Sequence, residues 1–252
     1  MELSARAVPV QQILPWRDLY RQEMNCQIVC DSLDSHEGWT QPYLLYAGDA
    51  TAGYGSVALG GPWKNNPTLF QFYVLPEYRP VVFDLFAELL GATGATTIKA
   101  QTNDVLLSVM LHTFAHTIVS GSILFRDEMT TTHSPAGALF RRAEPNDSAA
   151  ISWQELDSPP KWVVEIEGLA AAAGDILYHC NRPYGDIYMK VAEPFRRRGL
   201  GSFLVQELKK VCYAQRSIPG ARCSPGNTAS RRTLQKAGLV PCGHILDGFV
   251  RS

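Results

Sequence analysis

Apolar and polar positions along the chain follow helical and strand rhythms, and the order of elements they predict occurs twice. From Ile13 to Leu33, Trp16, Leu19, Tyr20, Glu23 and Met24 recur at helical spacing, until Ser35 to Gly38 break the run. Tyr43–Ala47 and Gly53–Leu59, joined across Gly48-Asp49, read as a hairpin, and Thr68–Leu75 as a third strand. A helix over Val81–Leu90 follows, apolar at Val82, Phe83, Phe86, Leu89 and Leu90. A short strand at Thr96–Ala100, a helix over Asn103–Phe114 and a closing strand over His116–Phe125 complete the first set.

The second half repeats this order. Ala138–Arg142 opens it, Trp162–Glu167 and Gly174–His179 form a hairpin, and Ile187–Val191 is the third strand. Ser202–Val211 is a helix with Phe203, Leu204, Leu208 and Val211 on one face. A short strand near Ala221–Ser224 and a helix after Asn227 end the set. Thr130–Gly137 is small, polar and rich in breakers, as a linker would be, which places a boundary near residue 135 and domains at 1–134 and 135–252. Val74 to Arg79 (Val-Leu-Pro-Glu-Tyr-Arg) aligns with Val191 to Arg196 (Val-Ala-Glu-Pro-Phe-Arg), and Asn103 with Asn227. In that alignment Gly199 and Gly201 correspond to Val82 and Asp84, and Arg197 to Pro80.

Composition narrows the class. The 252 residues are 46% hydrophobic and 19% charged, enough to bury a core. The formal net charge of −1 gives no global attraction to nucleic acid or to an anionic membrane. No apolar run reaches membrane-span length and the N-terminus lacks a signal-peptide core, so a soluble, cytoplasmic protein is expected. Cys26, Cys30, Cys180, Cys212, Cys223 and Cys242 form no C-x-x-C. Cys26 and Cys30 could share a helix face, but no second pair completes a zinc site, and buried thiols are expected rather than a metal centre. His112, His116, His133 and His244 show no ligand spacing.

One stretch carries chemistry. After the strand ending in Val191 come Arg196, Arg197, Arg198, Gly199, Leu200, Gly201 and Ser202, then a helix. First-turn N–H groups lack intrahelical acceptors and the helix dipole favours an anion there. Two glycines remove side chains that would hold a phosphate off the backbone. The expected ligand is a pyrophosphate. A dinucleotide fingerprint would want a third glycine at Leu204, and a P-loop would want Gly-Lys-Ser/Thr.

Arg196-x-x-Gly199-x-Gly201 resembles instead the acyl-CoA loop of the GNAT acetyltransferase superfamily, and Asn227 to Leu239 resembles that family's second motif. The resemblance implies an α/β (α+β) fold of two GNAT-like domains, each a mixed, mostly antiparallel twisted sheet flanked by helices. Only the C-terminal copy would hold acetyl-CoA, because a branched side chain and a carboxylate occupy the loop positions of the first. It further implies that the thioester lies against the backbone of Met189, Lys190 and Val191, that backbone N–H groups from Arg197 to Ser202 hold the pyrophosphate, and that Asn227 and Ser230 touch the pantetheine. Asn227 also reads as a helix N-cap.

The implied reaction is transfer of an acetyl group to a primary amine of a small molecule or peptide. An amine with pKa ~10.4 is less than about a thousandth neutral at pH 7, so a base must take its proton. Tyr188 and Asp186 are the favoured candidates, with Glu165, Tyr178 and His179 as others. Strand alternation puts Asp186 and Tyr188 on one face and Ile187, Met189 and Val191 on the other. Many relatives place a Tyr acid where Leu234 stands, so thiolate must leave unaided (pKa ~8.5) or meet another donor. Leu234 keeps open a non-catalytic acyl-CoA sensor or scaffold, and a nucleotide-binding domain is a third reading. A homodimer is allowed.

Overall fold

Hairpins closed by one parallel step build both halves of the fold. The computed structural model describes residues 1–24, 26–27, 33–34, 36–149, 159–179 and 182–251. Two compact units emerge, one of Met1–Gly121 with Gly243–Ser252 and the other of Ser122–Cys242. In the first, β1 (Leu3–Ala7), β2 (Thr40–Ala47), β3 (Ala50–Ala58) and β4 (Thr68–Val74) are successively antiparallel. β4 pairs in parallel with β5 (Thr97–Gln101) over Thr68↔Thr97 and Leu69↔Ile98. Helices α1 (Leu14–Met24), α2 (Val82–Thr93) and α3 (Val105–Phe114) flank this sheet. Leu85, Phe86 and Leu89 of α2 pack with Leu45, Phe72 and Ile98 in its core.

The chain then runs through β6 (Ala115–Asp127) into β7 (Leu139–Arg142), β8 (Trp162–Ile166), β9 (Leu169–Leu177) and β10 (Tyr184–Val191). Strands β7 to β10 are again successively antiparallel. Helix α4 (Leu200–Ala214) leads to β11 (Ile218–Cys223), parallel to β10, then to α5 (Thr228–Lys236) and β12 (Leu239–Val250). Leu200, Leu204, Val205, Leu208 and Cys212 of α4 are buried in the second core. Among the described residues no helix is long and apolar enough to cross a membrane.

The compact units do not follow the boundary near residue 135. Residues Ile123–Arg126 of β6 pair antiparallel with β11, inside the second unit. Ile245–Phe249 of β12 pair antiparallel with β5, inside the first. Each unit thus takes its last strand from the other half of the sequence. The breaker-rich stretch misleads because it is pinned within the second unit rather than hanging as a linker. The Thr131 hydroxyl and the His133 N–H donate to Gln206 Oε1 at 2.9 and 2.6 Å, and Lys209 Nζ donates to the Met129 carbonyl at 2.7 Å. Pro241, Gly243 and Gly248 hid β12, since such residues mark breaks in most strands.

Helix α1 ends at Met24, short of the expected Leu33, and residues 28–32, including Cys30, lie outside the described residues, as does Cys180. Cys26, Cys212 and Cys223 are buried thiols and Cys242 is half-buried. The two aligned stretches make matching hydrogen bonds. Arg79 Nε donates to the Val74 carbonyl at 3.2 Å, and Arg196 Nε to the Val191 carbonyl at 3.4 Å. Leu75 N–H reaches the Ala52 carbonyl, as Ala192 N–H reaches that of Ala171, both at 2.9 Å. Farther on the alignment shifts. Asp104, not Asn103, caps α3, accepting from Leu107 N–H at 3.0 Å, as Asn227 caps α5 by accepting from Ser230 N–H at 3.0 Å.

Two outcomes are expected. Residues 135–252 expressed alone leave β11 without its covering strand, so they should not give a soluble, cooperatively melting domain by circular dichroism. A stable monomeric fragment would contradict the strand exchange. Buried Asp104 also accepts from the Tyr20 hydroxyl at 2.7 Å, and burial pushes its carboxyl up to about 6. The fold therefore favours protonated Asp104, a contribution that is complete below about pH 4 and lost as pH rises through about 6. Asp104→Asn keeps an acceptor for Leu107 N–H and offers its amide to the Tyr20 oxygen. It should be more stable than the parent at pH 8 by about 1–3 kcal/mol, with the gap closing at pH 4, in urea denaturation.

Candidate functional site

The site begins where β10 and β11 part. Their parallel ladder runs from Tyr184↔Ile218 to Ile187↔Ala221 and ends there. The antiparallel ladder of β10 with β9 continues to Val191↔Ala172. A 3-10 turn over Glu193–Phe195 follows, and then a loop in which Arg197 (φ 64) and Gly199 (φ 81) are both left-handed. Gly199 is the N-cap of α4 with no side-chain cap, and the first helical hydrogen bond runs from Phe203 N–H to the Gly199 carbonyl at 3.1 Å. The N–H groups of Leu200, Gly201 and Ser202 precede that bond and have no intrahelical acceptor. Ser202 Oγ donates to the Thr233 carbonyl at 3.1 Å, fixing α4 against α5. A Cβ at Gly201 would lie 3.1 Å from Thr233 Cγ2 and 3.2 Å from Val191 Cγ2, so glycine lets these elements close.

In the first unit the equivalent 3-10 turn, Pro76–Val81, passes straight into α2, whose N-cap is Val81. The second unit has one more residue between its matched arginine and the helix. Counted from the caps, the counterparts of Gly199 and Gly201 are Val81 and Phe83, rather than the expected Val82 and Asp84. No glycine stands at either alternative.

A cleft of about 780 Å³ opens over this loop. Of the expected cofactor residues, Met189, Lys190, Val191, Arg196, Arg197, Gly199, Leu200, Gly201, Ser202, Asn227 and Ser230 all line it. Arg198 does not, and its guanidinium instead sits 5.5 Å from the Phe195 ring centroid. The sequence reading missed Arg232, Thr233 and Lys236, which with Ala229 recur at helical spacing on α5 and line the opposite wall. That spacing was the available signal. Among the described residues, Lys190, Arg196, Arg197, Arg232 and Lys236 give the lining five cations and no carboxylate, against a chain whose net charge is −1.

Asp186 and Tyr188 are not in this cleft. They line an adjoining cavity of about 410 Å³ at the strand splay, which shares Met189 and Ser230 with the cleft. There Asp186, 6% exposed, accepts from Arg222 Nε at 3.0 Å. Leu234 is buried and lines the same cavity, placing no acid there. Glu165 lies elsewhere, accepting from Arg141 Nε at 2.6 Å. The Tyr178 hydroxyl donates to Gln215 Oε1 at 2.5 Å, and burial pushes it up to about 12.

A side chain at Gly199 meets no atom nearer than 3.8 Å, so substitution there acts through φ, not through a clash. Gly199→Ala should cost about 1 kcal/mol in denaturant unfolding and Gly199→Asn less, since Asn tolerates the left-handed region. Equal stability of the alanine variant and the parent would contradict the loop geometry.

Residues 167–240 match the family described as FR47-like protein. No curated protein sequence matches the chain. Among solved structures, an acetyltransferase of the GNAT family from Colwellia psychrerythraea is similar at a TM-score of 0.74 and 15% identity, covering 98% of this chain and 100% of its own. A tandem GNAT protein from the clavulanic acid biosynthesis pathway is similar at 0.61 and 15% identity, covering 100% of this chain and 99% of its own. A GCN5-related N-acetyltransferase from Sphaerobacter thermophilus is similar at 0.58 and 16%, covering 99% and 96%. The chain is thus a protein of the GNAT acetyltransferase fold, with the FR47-like pattern in its second unit.

Proposed function

We propose that the protein is an acetyl-CoA-dependent N-acetyltransferase acting on a primary amine of a small molecule or peptide in the cytoplasm. The observation that carries this reading is the five-cation cleft closing on the uncapped start of α4. Leu200, Gly201 and Ser202 N–H groups would take the diphosphate, with Arg196, Arg197 and Lys236 around it. The pantetheine would run along Met189, Lys190 and Val191 past Asn227 and Ser230 by strand addition. The thioester would then reach the splay, where the β10 backbone can polarise its carbonyl. An amine entering the second cavity would stand beside Tyr188. Asp186, held by Arg222, is better placed to fix charge than to accept a proton, which leaves Tyr188 as the preferred base. Thiolate would leave unaided.

The first unit is read as a degenerate copy. Val81 and Phe83 stand at the glycine positions. On α1 and the adjoining strands, Tyr20 packs edge-on against Tyr54 and Tyr73 at ring distances of 6.5 and 6.3 Å. The second reading, a non-catalytic acyl-CoA sensor or scaffold, is favoured by one observation, buried Leu234 at the position of the usual acid.

Calorimetry should show one acetyl-CoA per chain, and Arg196→Ala with Arg197→Ala should weaken it about tenfold or more. Two equivalents would overturn the degenerate copy. Thiol release with an amine panel, above hydrolysis, supports the enzyme, whereas binding without release supports the sensor.

A further inference from the structure

The charges of the two adjoining spaces differ in a way that selects an acceptor. Among the described residues, every charged side chain lining the cleft is basic. Among the described residues the lining of the splay cavity is balanced, with one carboxylate, Asp186, and one guanidinium, Arg222, already in contact at 3.0 Å. The cavity lies within the second unit, between β10, β11 and α5, with Ser122 of β6 at its edge. A site built for a polyamine or another simple cation would expose carboxylates without a cationic partner. Here the lining carboxylate, Asp186, is compensated, and the neighbouring wall adds positive charge until phosphates offset it.

We propose that the acceptor is an amine that carries its own carboxylate, an amino acid or a close analogue, bound with its carboxylate toward Arg222 and its nitrogen toward Asp186 and Tyr188. This rests on the acetyltransferase reading above and names the substrate class of that site. A zwitterion adds no net charge to a balanced cavity, and it extends the Arg222–Asp186 pair into an alternating array. The guanidinium suits a carboxylate because it is a planar, permanently charged fork, and it already holds the Asp186 carboxylate through Nε–H. Ile187, Leu234 and Cys223 give the remaining wall an apolar lining for a modest side chain. In the reaction the neutral nitrogen attacks the thioester carbonyl, the C–S bond breaks to release CoA thiolate, and the proton lost from nitrogen goes to the base and then to solvent or thiolate.

The test uses the full chain and three acceptors of one skeleton: leucine, leucinamide and isopentylamine, with spermidine as a polycation. With acetyl-CoA saturating, leucine should exceed the other three in kcat/KM by at least about tenfold. Arg222→Gln should raise the KM for leucine by a similar factor and should not raise that for isopentylamine, because it removes a cation from beside Asp186. Should that variant fail to fold, Arg222→Lys keeps a cation beside Asp186 and should still raise the leucine KM severalfold. Equal or better turnover of isopentylamine or spermidine, or no binding of leucine to the CoA-loaded protein in calorimetry, overturns the acceptor class while leaving the CoA site standing. Failure to bind acetyl-CoA at all removes the acetyltransferase reading, and the acceptor class with it.

Discussion

The fold is arranged around an interrupted strand pair. β10 and β11 share four parallel register positions, ending at Ile187↔Ala221, and β10 then runs four residues farther against β9 alone. This opening puts the end of β10, the start of α4 and the start of α5 around one space. Had the ladder continued to Val191, the sheet would be closed where the cleft and the cavity now meet. The first unit opens earlier still, after Leu69↔Ile98, yet the tyrosines of α1, β3 and β4 pack beside its strands. A shared skeleton therefore carries two different fillings.

Charge follows the same division. Arg196 and Arg197 from the loop and Arg232 and Lys236 from α5 converge on the cleft. Buried Gln206 and Lys209, farther along α4, hold residues 129–133, with Lys209 also paired to Asp127 at 2.6 Å. Such a buried pair fixes geometry more than it stabilises. The stretch that reads as a linker thus braces the helix whose start forms the cradle.

Much of the architecture was legible because it is local. Strand β4, the hairpins and helices α2 and α4 declare themselves through periodicity, and the loop through Arg196, Gly199 and Gly201. What escaped depends on distant pairing. Nothing near residue 245 announces that it lies beside residue 101, and nothing near Asp186 announces Arg222. Four consecutive alanines, Ala170 to Ala173, read poorly as a strand, yet all are buried in the first half of β9. Arg198 shows the reverse error, since three adjacent arginines look equivalent in sequence while a turn sends them different ways.

The central claim is that backbone amides at the start of α4 grip a diphosphate. A crystal structure of the protein with coenzyme A tests it most directly. The account predicts diphosphate oxygens within hydrogen-bond reach of the Leu200, Gly201 and Ser202 amides. A diphosphate bound anywhere else on the chain would contradict it.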